Sequence, residues 1–365
     1  MTVASPPRAL GLPGAAGYLD SATVGLVPAA VAAELSRCYG ELAAGSRALP
    51  GLYDDVQDVK ALLADELHVQ PDQLAFMSST GEALNALARA VPLRPDAEVL
   101  VLEDDFPTVV LPWTRLSPAP RLVQVAPQAG DDRLAALLAA ITPRTQVVCV
   151  SHVAPYTGTR LDLAPLRAAT RAVGALLVVD GAQALGCIPV DVAEADVYVA
   201  TAYKWLMSGY GITTIVLDPE LRSTLRPGLL GHVNPPPSTG LSYGRPNFAG
   251  ILALGASLRV RQSVGTSVIH GRVRALTDRV RAAAEALDLR PVAAAERTAG
   301  IVCLAGIPDA ADAVVRLRTE GFVVAERSGR VRIAPHFYTS DSDIDRLLEV
   351  LRRLSTSWRG ATAAP

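Results

Sequence analysis

Strand-like runs that are apolar on both faces alternate with amphipathic segments from about residue 30 to residue 255. Runs of the first kind are typical of strands buried on both sides, and the amphipathic segments are typical of helices that cover a sheet. The strand-like runs are QLAFMSST, AEVLVLEDDF, TQVVCVSHV, ALLVVDG, ADVYVATA and GITTIVLD. The alternation predicts an α/β fold with a mainly parallel sheet covered by helices.

The pattern changes at the end of this region. A helical stretch from about 249 to 288 leads into a tail that contains GIVCLAG, a helix near 309–320, GFVVAER, RVRIAPHF and a last helix, SDIDRLLEVLRRL. This order predicts a small α+β domain. We therefore expect a large domain over residues 31–255, a small C-terminal domain over 256–365, and an N-terminal arm, 1–30, that packs with the small domain.

Four polar residues follow strand-like runs at the point where each run ends. They are Asp104, His152, Asp180 and Thr201. Ligands of open parallel sheets bind beyond the carboxyl ends of the strands, so we expect the binding site at this edge. The segment GHVNPPPSTGLSYGRPNFAG is rich in Pro and Gly and is predicted to be a long loop.

The chain contains two lysines, Lys60 and Lys204, against 32 arginines. Arginine stays protonated, whereas a desolvated lysine amine can lose its proton and attack a carbonyl. Lys60 lies in an amphipathic helical stretch and is interpreted as a surface charge. Lys204 follows one strand-like run and Asp180 ends the run before it. A lysine that holds pyridoxal phosphate as a Schiff base and an aspartate that pairs with the pyridine nitrogen suit this order, which makes both candidate catalytic residues.

Residues on either side of these two suit the phosphate of the same cofactor. Thr80 and Gly81 lie where a strand turns into a helix, and free backbone N–H groups there attract anions. The alternative is a simple helix cap, because Ser and Thr precede many helices. Thr201 and Tyr203, next to Lys204, offer two further hydroxyl donors.

Three more residues suit the ring or the substrate. Phe106 follows a strand end and could stack on a heteroaromatic ring, the alternative being a core phenylalanine. Gln183 follows Asp180 by three positions and could reach the phenolic oxygen of the cofactor. Arg332 has apolar neighbours and is a candidate planar clamp for an α-carboxylate.

Composition narrows the function classes. The net charge of −2 gives no reason to expect nucleic acid or a membrane surface as a partner. The four cysteines are far apart, and neither His152 nor His336 falls in a metal-site or Ser-His-Asp spacing, so no metal is predicted and both histidines are interpreted as structural. The N-terminus has no signal-peptide layout and no apolar run is long enough to cross a bilayer. We expect a cytoplasmic protein without disulfides.

These motifs together resemble the class V aminotransferase family, which is fold type I of the pyridoxal phosphate enzymes. SSTGEALN looks like its phosphate-cup motif, and VVDGAQALGCIPVDV with ADVYVATAYKWL looks like its central signature. YLDSATVGLVP looks like the N-terminal substrate-contact segment, which implies a substrate contact for Thr23. GRPNFAG looks like the loop that reaches the neighbouring subunit's cofactor phosphate, which implies that role for Arg245 and Asn247. RVRIAPHFYTSDSDID looks like the segment of the carboxylate-binding arginine. The resemblance implies a homodimer with shared active sites.

Within the family, the details are most similar to kynureninase and to the isopenicillin-epimerase-like and ergothioneine C–S lyase groups. Cysteine desulfurases carry a nucleophilic cysteine shortly before the carboxylate arginine, and GFVVAERSGRVRIAP has none. Desulfurase activity is therefore disfavoured. Val109 and Pro155 stand where the kynureninase-type pattern has aspartate and asparagine, which weakens a detailed kynureninase assignment. Arg245 replaces a usual threonine before the Pro-Asn pair and could add a positive charge from the second subunit toward a phosphate or an acidic substrate.

The resemblance implies an enzyme that binds an α-amino acid to its cofactor and forms a carbanion at Cα, with Lys204 as general base. A C–S β-lyase acting on an S-substituted cysteine is the first hypothesis. An aminotransferase of specialised metabolism is the alternative, with an epimerase or an oxidative deaminating variant also open. A non-catalytic relative is a further class, which the presence of Lys204, Asp180 and Arg332 disfavours.

Overall fold

The structure is a computed structural model, and it describes residues 10–127, 132–232 and 241–362. Part of the predicted long loop, 233–240, lies outside the described residues. The helices are α1 Ala29–Leu42, α2 Leu49–Leu67, α3 Thr80–Ala90, α4 Pro107–Val110, α5 Arg133–Ala140, α6 Leu163–Ala172, α7 Phe248–Val264, α8 Thr266–Ala286, α9 Ala310–Thr319 and α10 Asp341–Thr362. The strands are β1 Leu74–Met77, β2 Glu98–Leu102, β3 Arg121–Val125, β4 Thr145–Ser151, β5 Leu176–Asp180, β6 Val197–Thr201, β7 Thr213–Leu217, β8 Arg290–Pro291, β9 Val302–Ala305, β10 Ala325–Arg327 and β11 Arg330–Ile333.

Seven strands form the central sheet, in the order β1-β7-β6-β5-β4-β2-β3. Strands β6, β5, β4, β2 and β3 run parallel to one another, and β7 runs antiparallel between β1 and β6. The predicted α/β fold with a mainly parallel sheet is therefore confirmed. Asp180, at the end of β5, lies opposite Ser151 of β4 and Val199 of β6, so the strand ends meet at one edge.

The central strands are buried because both of their faces are apolar. In β5, Leu177 and Val179 enter the hydrophobic cluster on one face of the sheet, while Val178 enters the cluster on the other face. Strand β3 departs from this pattern, with Val125 as its one buried residue. An edge strand needs fewer apolar positions, which is why the hydrophobic pattern did not predict it.

A second, antiparallel sheet has the order β10-β11-β9-β8. The segment before α1 joins this sheet, since Tyr18 forms a parallel bridge with Val323 and Asp20 forms another with Ala334. The domain boundaries expected after residues 30 and 255 stay a prediction, and α7 runs across the second of them.

The same N-terminal segment also passes the turn that follows β6. The backbone N–H of Gly25 donates to the carbonyl oxygen of Tyr203 at 2.9 Å. A Cβ atom at Gly25 would overlap the carbonyl oxygen of Lys204. Only a glycine allows this close approach, so the arm forms one wall of the lysine turn.

The helical stretch expected over 249–288 is two helices, α7 and α8. They are separated at Gly265, whose φ of 94° is a backbone conformation that residues with side chains rarely adopt. None of the helices within the described ranges combines the length and the hydropathy that a bilayer span requires.

Substitution of Gly181, which follows Asp180, tests the packing beneath the strand end. A Cβ atom there would overlap the ring of Tyr198, so Gly181→Ala should lower the free energy of unfolding by about 1–3 kcal/mol. On the exposed side of α8, a methyl group at Gly271 would meet no atom within 4 Å. Gly271→Ala should therefore raise the free energy of unfolding by about 0.5–1 kcal/mol. Urea titration of the three proteins measures both effects, and equal midpoints for wild type and Gly181→Ala would contradict the expectation.

Candidate active site

A cavity of about 270 Å³ opens at the edge where the parallel strands end. It contains most of the residues that the sequence assigned to a cofactor. Those that line it are Thr80, Gly81, Phe106, Asp180, Gln183, Thr201, Tyr203 and Lys204. Residues separated by more than 120 positions therefore meet in one site, as the strand-end pattern predicts.

Asp180 places a buried carboxylate at the end of β5. Its Oδ1 accepts a hydrogen bond of 2.8 Å from the backbone N–H of Ala182, which fixes the orientation of the side chain. Burial raises the pKa of Asp180 to about 6, and the nearby Asp105 carboxylate acts in the same direction. The Ala182 N–H and the Lys204 ammonium oppose the shift. A cation next to this carboxylate would hold it in the ionised form.

Lys204 supplies a partly buried amine at the same cavity. Desolvation lowers its pKa to about 8; the Asp180 carboxylate opposes this shift, and Arg332 and Arg327 add to it. Its Nζ lies 5.7 Å from the centre of the Tyr203 ring. An amine with a pKa near 8 has a sizeable neutral fraction at physiological pH, which is what nucleophilic attack requires.

The N-terminus of α3 faces the cavity, as the anion-site interpretation of SSTGEALN requires. Ser79 is the helix cap, because its Oγ accepts from the backbone N–H of Glu82 at 3.1 Å. Thr80 and Gly81 follow the cap and line the cavity. The cap and the candidate anion site thus fall on successive residues.

Phe106 lies at the mouth of the cavity with 42% of its surface exposed, so the core interpretation of this residue is wrong. Its position depends on Asp105, a buried carboxylate that the sequence analysis overlooked. Asp105 accepts hydrogen bonds from the backbone N–H of Phe106 at 2.7 Å and from the N–H and Oγ of Ser151 at 2.9 and 2.5 Å. The aspartate therefore ties the residue over the cavity to the end of β4.

Gln183 is held at both ends of its side-chain amide. Its Nε2 donates to the carbonyl oxygen of Ala22 at 2.9 Å, and its Oε1 accepts from the indole N–H of Trp205 at 3.0 Å. One hydrogen of the Nε2 amino group remains beyond the Ala22 bond. Because Gln183 lines the cavity, that hydrogen is available to an acceptor there.

Arg332 contacts Thr23 of the N-terminal arm, and neither residue is among those that line the 270 Å³ cavity. Arg332 Nη2 donates to Thr23 Oγ1 at 2.6 Å and to Asp20 Oδ1 at 3.1 Å, and Nη1 donates to the carbonyl oxygen of Pro155 at 3.4 Å. Arg332 is 3% exposed, and its Nε has no hydrogen-bond partner among the described residues. The arm thus positions the guanidinium, and its Nε–H remains unpaired among the described residues.

Arg245 and Asn247 do not line this cavity. They lie with Lys60, Ser78 and Glu82 around a separate cavity of about 500 Å³. Asn247 caps α7, accepting from the Gly250 N–H at 3.1 Å and donating to the Gly211 carbonyl oxygen at 2.7 Å. Neither residue therefore reaches the cofactor site of its own chain.

Both candidate histidines have core partners. His152 Nδ1 lies 2.9 Å from the Tyr198 hydroxyl, and His336 Nε2 lies 3.2 Å from the Trp205 carbonyl oxygen. Burial lowers the pKa of His152 to about 4 and that of His336 to about 3. Both rings are neutral at physiological pH, in agreement with the structural interpretation.

The sequence analysis missed three residues that shape the site: Asp20, Asp105 and Arg327. Asp20 lies inside the quoted YLDSATVGLVP segment and Asp105 directly precedes Phe106, so each had a local signal. Arg327 had none, because it is one of many arginines and its neighbours at the site come from the opposite end of the chain.

The chain matches a known protein family over most of its length. The model for aminotransferase class V matches residues 17–347. The chain belongs to the class V aminotransferase family. It is an enzyme, and its cofactor is pyridoxal 5′-phosphate.

Individual relatives and solved structures agree on the architecture. Isopenicillin N epimerase from Streptomyces clavuligerus is 28% identical over 322 residues, which cover 78% of this chain and 81% of that protein. The cysteine desulfurase from Thermococcus onnurineus NA1 superposes with a TM-score of 0.87 at 21% identity, over 98% of this chain and 100% of that one. The cystine C–S lyase C-DES, in complex with cysteine persulfide, superposes with a TM-score of 0.84 at 18% identity. This superposition covers 92% of this chain and 97% of that one. The fold is that of the fold type I enzymes.

The residues of the cavity fit pyridoxal phosphate. Thr201 Oγ1 is buried and has no hydrogen-bond partner within the described ranges, and the first turn of α3 presents N–H groups to the same space. A phosphate would supply acceptors for both, and a pyridinium would add a cation beside the Asp180 carboxylate and favour its ionised form. When bound, this cofactor supplies an electron sink for negative charge at the substrate Cα.

The two lysines of the chain allow a matched test of the attachment site. Borohydride reduction of the holoenzyme fixes the cofactor to the lysine that carries it, and intact mass detects the adduct. We expect Lys60→Ala to gain the adduct mass as wild type does and Lys204→Ala to gain none, because only Lys204 lines the cavity. An adduct on Lys204→Ala would show that another amine is used.

Proposed function

We propose that the protein is a pyridoxal-phosphate-dependent C–S β-lyase that acts on an S-substituted L-cysteine. In such a reaction the Cα proton is removed, the Cβ–S bond breaks and the sulfur leaves as a thiol. The remaining three-carbon unit takes up water and gives pyruvate and ammonia. The proposal assigns the cofactor to the residues that line the 270 Å³ cavity, with Lys204 as its point of attachment and Asp180 as the partner of the pyridine nitrogen.

The observation that carries the proposal is the single amine at this cavity, which can remove the Cα proton, and the choice of elimination rests on the family resemblance and on the absence of a cysteine before Arg332. Of the described side chains that line it, three can titrate: Asp180, Tyr203 and Lys204. Asp180 is assigned to the cofactor ring, and burial raises the pKa of Tyr203 above its ordinary value. Lys204 is left as the group that can take a proton from Cα near neutral pH. One base is sufficient for elimination.

Arg332 is the proposed receptor for the substrate α-carboxylate, with Thr23 beside it. The unused Nε–H of this buried guanidinium can donate to one carboxylate oxygen, and a bidentate contact would require the substrate to replace Thr23 or Asp20 at Nη2. Asp20 holds the guanidinium in place through the Nη2 bond of 3.1 Å. The N-terminal arm would therefore contribute to substrate binding through Thr23 and Asp20.

Persulfide formation on the protein is disfavoured, although similar structures include cysteine desulfurases. The hairpin before Arg332 contains no cysteine, and all four cysteines of the chain are buried. Cys303 lies opposite Arg332 in the strand register, but burial raises the pKa of its thiol to about 12. Without an accessible thiol to accept sulfur, release of a free thiol is the consistent outcome.

Epimerisation is the second candidate, and the isopenicillin N epimerase relative favours it. It requires a proton to return to the opposite face of Cα from the one that lost it. Transamination, the third outcome, needs only Lys204 and leaves the cofactor in its amine form. The three reactions share the first proton transfer and differ in their products.

We also propose a homodimer with shared active sites. Arg245 and Asn247 lie away from the cavity of their own chain, on a segment where Tyr243 hydrogen-bonds to Glu82. In a dimer, this segment would bring a positive charge to the cofactor phosphate of the second subunit. The family resemblance supports this arrangement.

A product assay tests the proposed reaction. Purified holoenzyme is mixed with S-substituted L-cysteines, and pyruvate, free thiol and the configuration of recovered substrate are measured. We expect pyruvate and thiol in equal amounts. A bleached cofactor band with no pyruvate would indicate transamination, and loss of substrate chirality without pyruvate would indicate epimerisation. Either result would contradict the lyase proposal.

Substitution of Arg332 tests the carboxylate receptor. Arg332→Ala should weaken substrate binding by about 2–5 kcal/mol, because it removes a desolvated charge partner. Arg332→Lys keeps the charge but loses the planar fork, so its loss should be intermediate. The measurement is KM, or the substrate dissociation constant, against the exposed Arg318→Ala as control. Unchanged KM in a folded, cofactor-loaded Arg332→Ala protein would place the carboxylate elsewhere.

A further inference from the structure

The hairpin formed by β10 and β11 brings two guanidinium groups to one hydroxyl. Arg332 Nη2 donates to Thr23 Oγ1 at 2.6 Å, and Arg327 Nη2 donates to the same oxygen at 3.3 Å. The two Nη2 atoms are therefore no more than about 6 Å apart. Like charges at this distance in a partly buried site repel each other, so an anion beside them would stabilise the arrangement.

The described residues supply only one carboxylate to this pair. Asp20 Oδ1 accepts from Arg332 at 3.1 Å. Arg327 donates through Nη1 to the backbone carbonyl of Glu326 at 2.7 Å, and no carboxylate of the described ranges lies within ion-pair distance of it. The Glu326 side chain accepts from the N–H of Gly329 at 2.6 Å. One positive charge of the pair is left uncompensated.

This uncompensated charge lies on the side of the proposed cofactor site. The positive charges of Arg327 and Arg332 both lower the pKa of Lys204. They also lower the pKa of Tyr156, which burial raises. The ring of Tyr156 lies 6.3 Å from that of Phe106, which lines the cavity. Arg327 thus contacts the arm residue Thr23, and its neighbour Arg332 donates to the carbonyl oxygen of Pro155, which lines the cavity.

We propose that Arg327 receives a second anionic group, carried on the side chain of the substrate. The inference rests on the proposed function, in which Arg332 binds the α-carboxylate. Two guanidinium groups that share Thr23 would then bind two acidic groups of one molecule. The substrate class is an S-substituted cysteine whose substituent ends in a carboxylate or a comparable anion.

Isosteric pairs of ligands that differ by one charge test this role. S-Carboxymethyl-L-cysteine is compared with S-carbamoylmethyl-L-cysteine. A second pair, S-(2-carboxyethyl)-L-cysteine and its amide, has a substituent that is one methylene longer. Stopped-flow absorbance of the cofactor in the holoenzyme gives the dissociation constant of each ligand, independently of turnover. We expect wild type to prefer the acid by about tenfold or more for at least one pair, since an added charge-assisted contact has that effect.

Variants on the hairpin assign the preference to a residue. Arg327→Gln should bind acid and amide about equally, with the affinity for the amide little changed. Arg327→Lys, which keeps the charge, should restore part of the preference. Arg330→Gln is the matched control, because Arg330 lies in the same hairpin and donates to the carbonyl oxygen of Tyr156 instead of Thr23, and it should keep the preference.

The outcomes separate this inference from the proposed function. Equal binding of acid and amide by wild type in both pairs would overturn the role of Arg327 while leaving an amino-acid substrate in place. An equal loss of affinity for both ligands in Arg327→Gln would mean that Arg327 shares the α-carboxylate, and it would also overturn the inference. If no ligand perturbs the cofactor absorbance, the proposed substrate class itself is wrong.

Discussion

The desolvation of one amine is the constraint around which the molecule is organised. Lys204 lies on the turn that follows β6. Gly25 of the arm hydrogen-bonds to this turn at Tyr203, and Trp205, the residue after Lys204, hydrogen-bonds to Gln183. Surrounding protein lowers its pKa to about 8, while the Asp180 carboxylate nearby limits the shift. A lysine held by a flexible turn would be hydrated and protonated. The rigid strand end and the close arm desolvate the amine and so favour its reactive neutral form, while the buried aspartate limits that shift.

The local parts of this arrangement could be predicted from sequence. Strand-end positions identified Asp180 and Thr201, the scarcity of lysine identified Lys204, and the strand-to-helix turn identified Thr80 and Gly81. These signals are carried by neighbouring residues, and parallel topology then brings them to one edge. The family resemblance added Thr23, which no local pattern singled out.

The remaining parts depend on contacts between distant segments. Asp20 approaches Arg332 and Thr23 approaches Arg327 only because the arm pairs with the small sheet, and hydrophobic periodicity carries no information on such pairing. The edge strand β3 has no apolar pattern that could have predicted it. The stretch predicted as one helix is divided into α7 and α8 by the positive φ of Gly265. Sequence therefore indicated the chemistry of the site better than the walls that select a substrate.

The bridges from Tyr18 to Val323 and from Asp20 to Ala334 join residues more than 300 positions apart. Synthesis proceeds from the N-terminus, so the arm emerges from the ribosome long before its partner strands exist. The parallel sheet can form around Asp180 and Lys204 before the arm has paired with the strands of the small sheet. The guanidinium contacts at Thr23 form only once nearly the whole chain has been made, because Arg327 and Arg332 lie near its C-terminal end. An incomplete chain would thus lack the two guanidinium groups that the proposed substrate site requires.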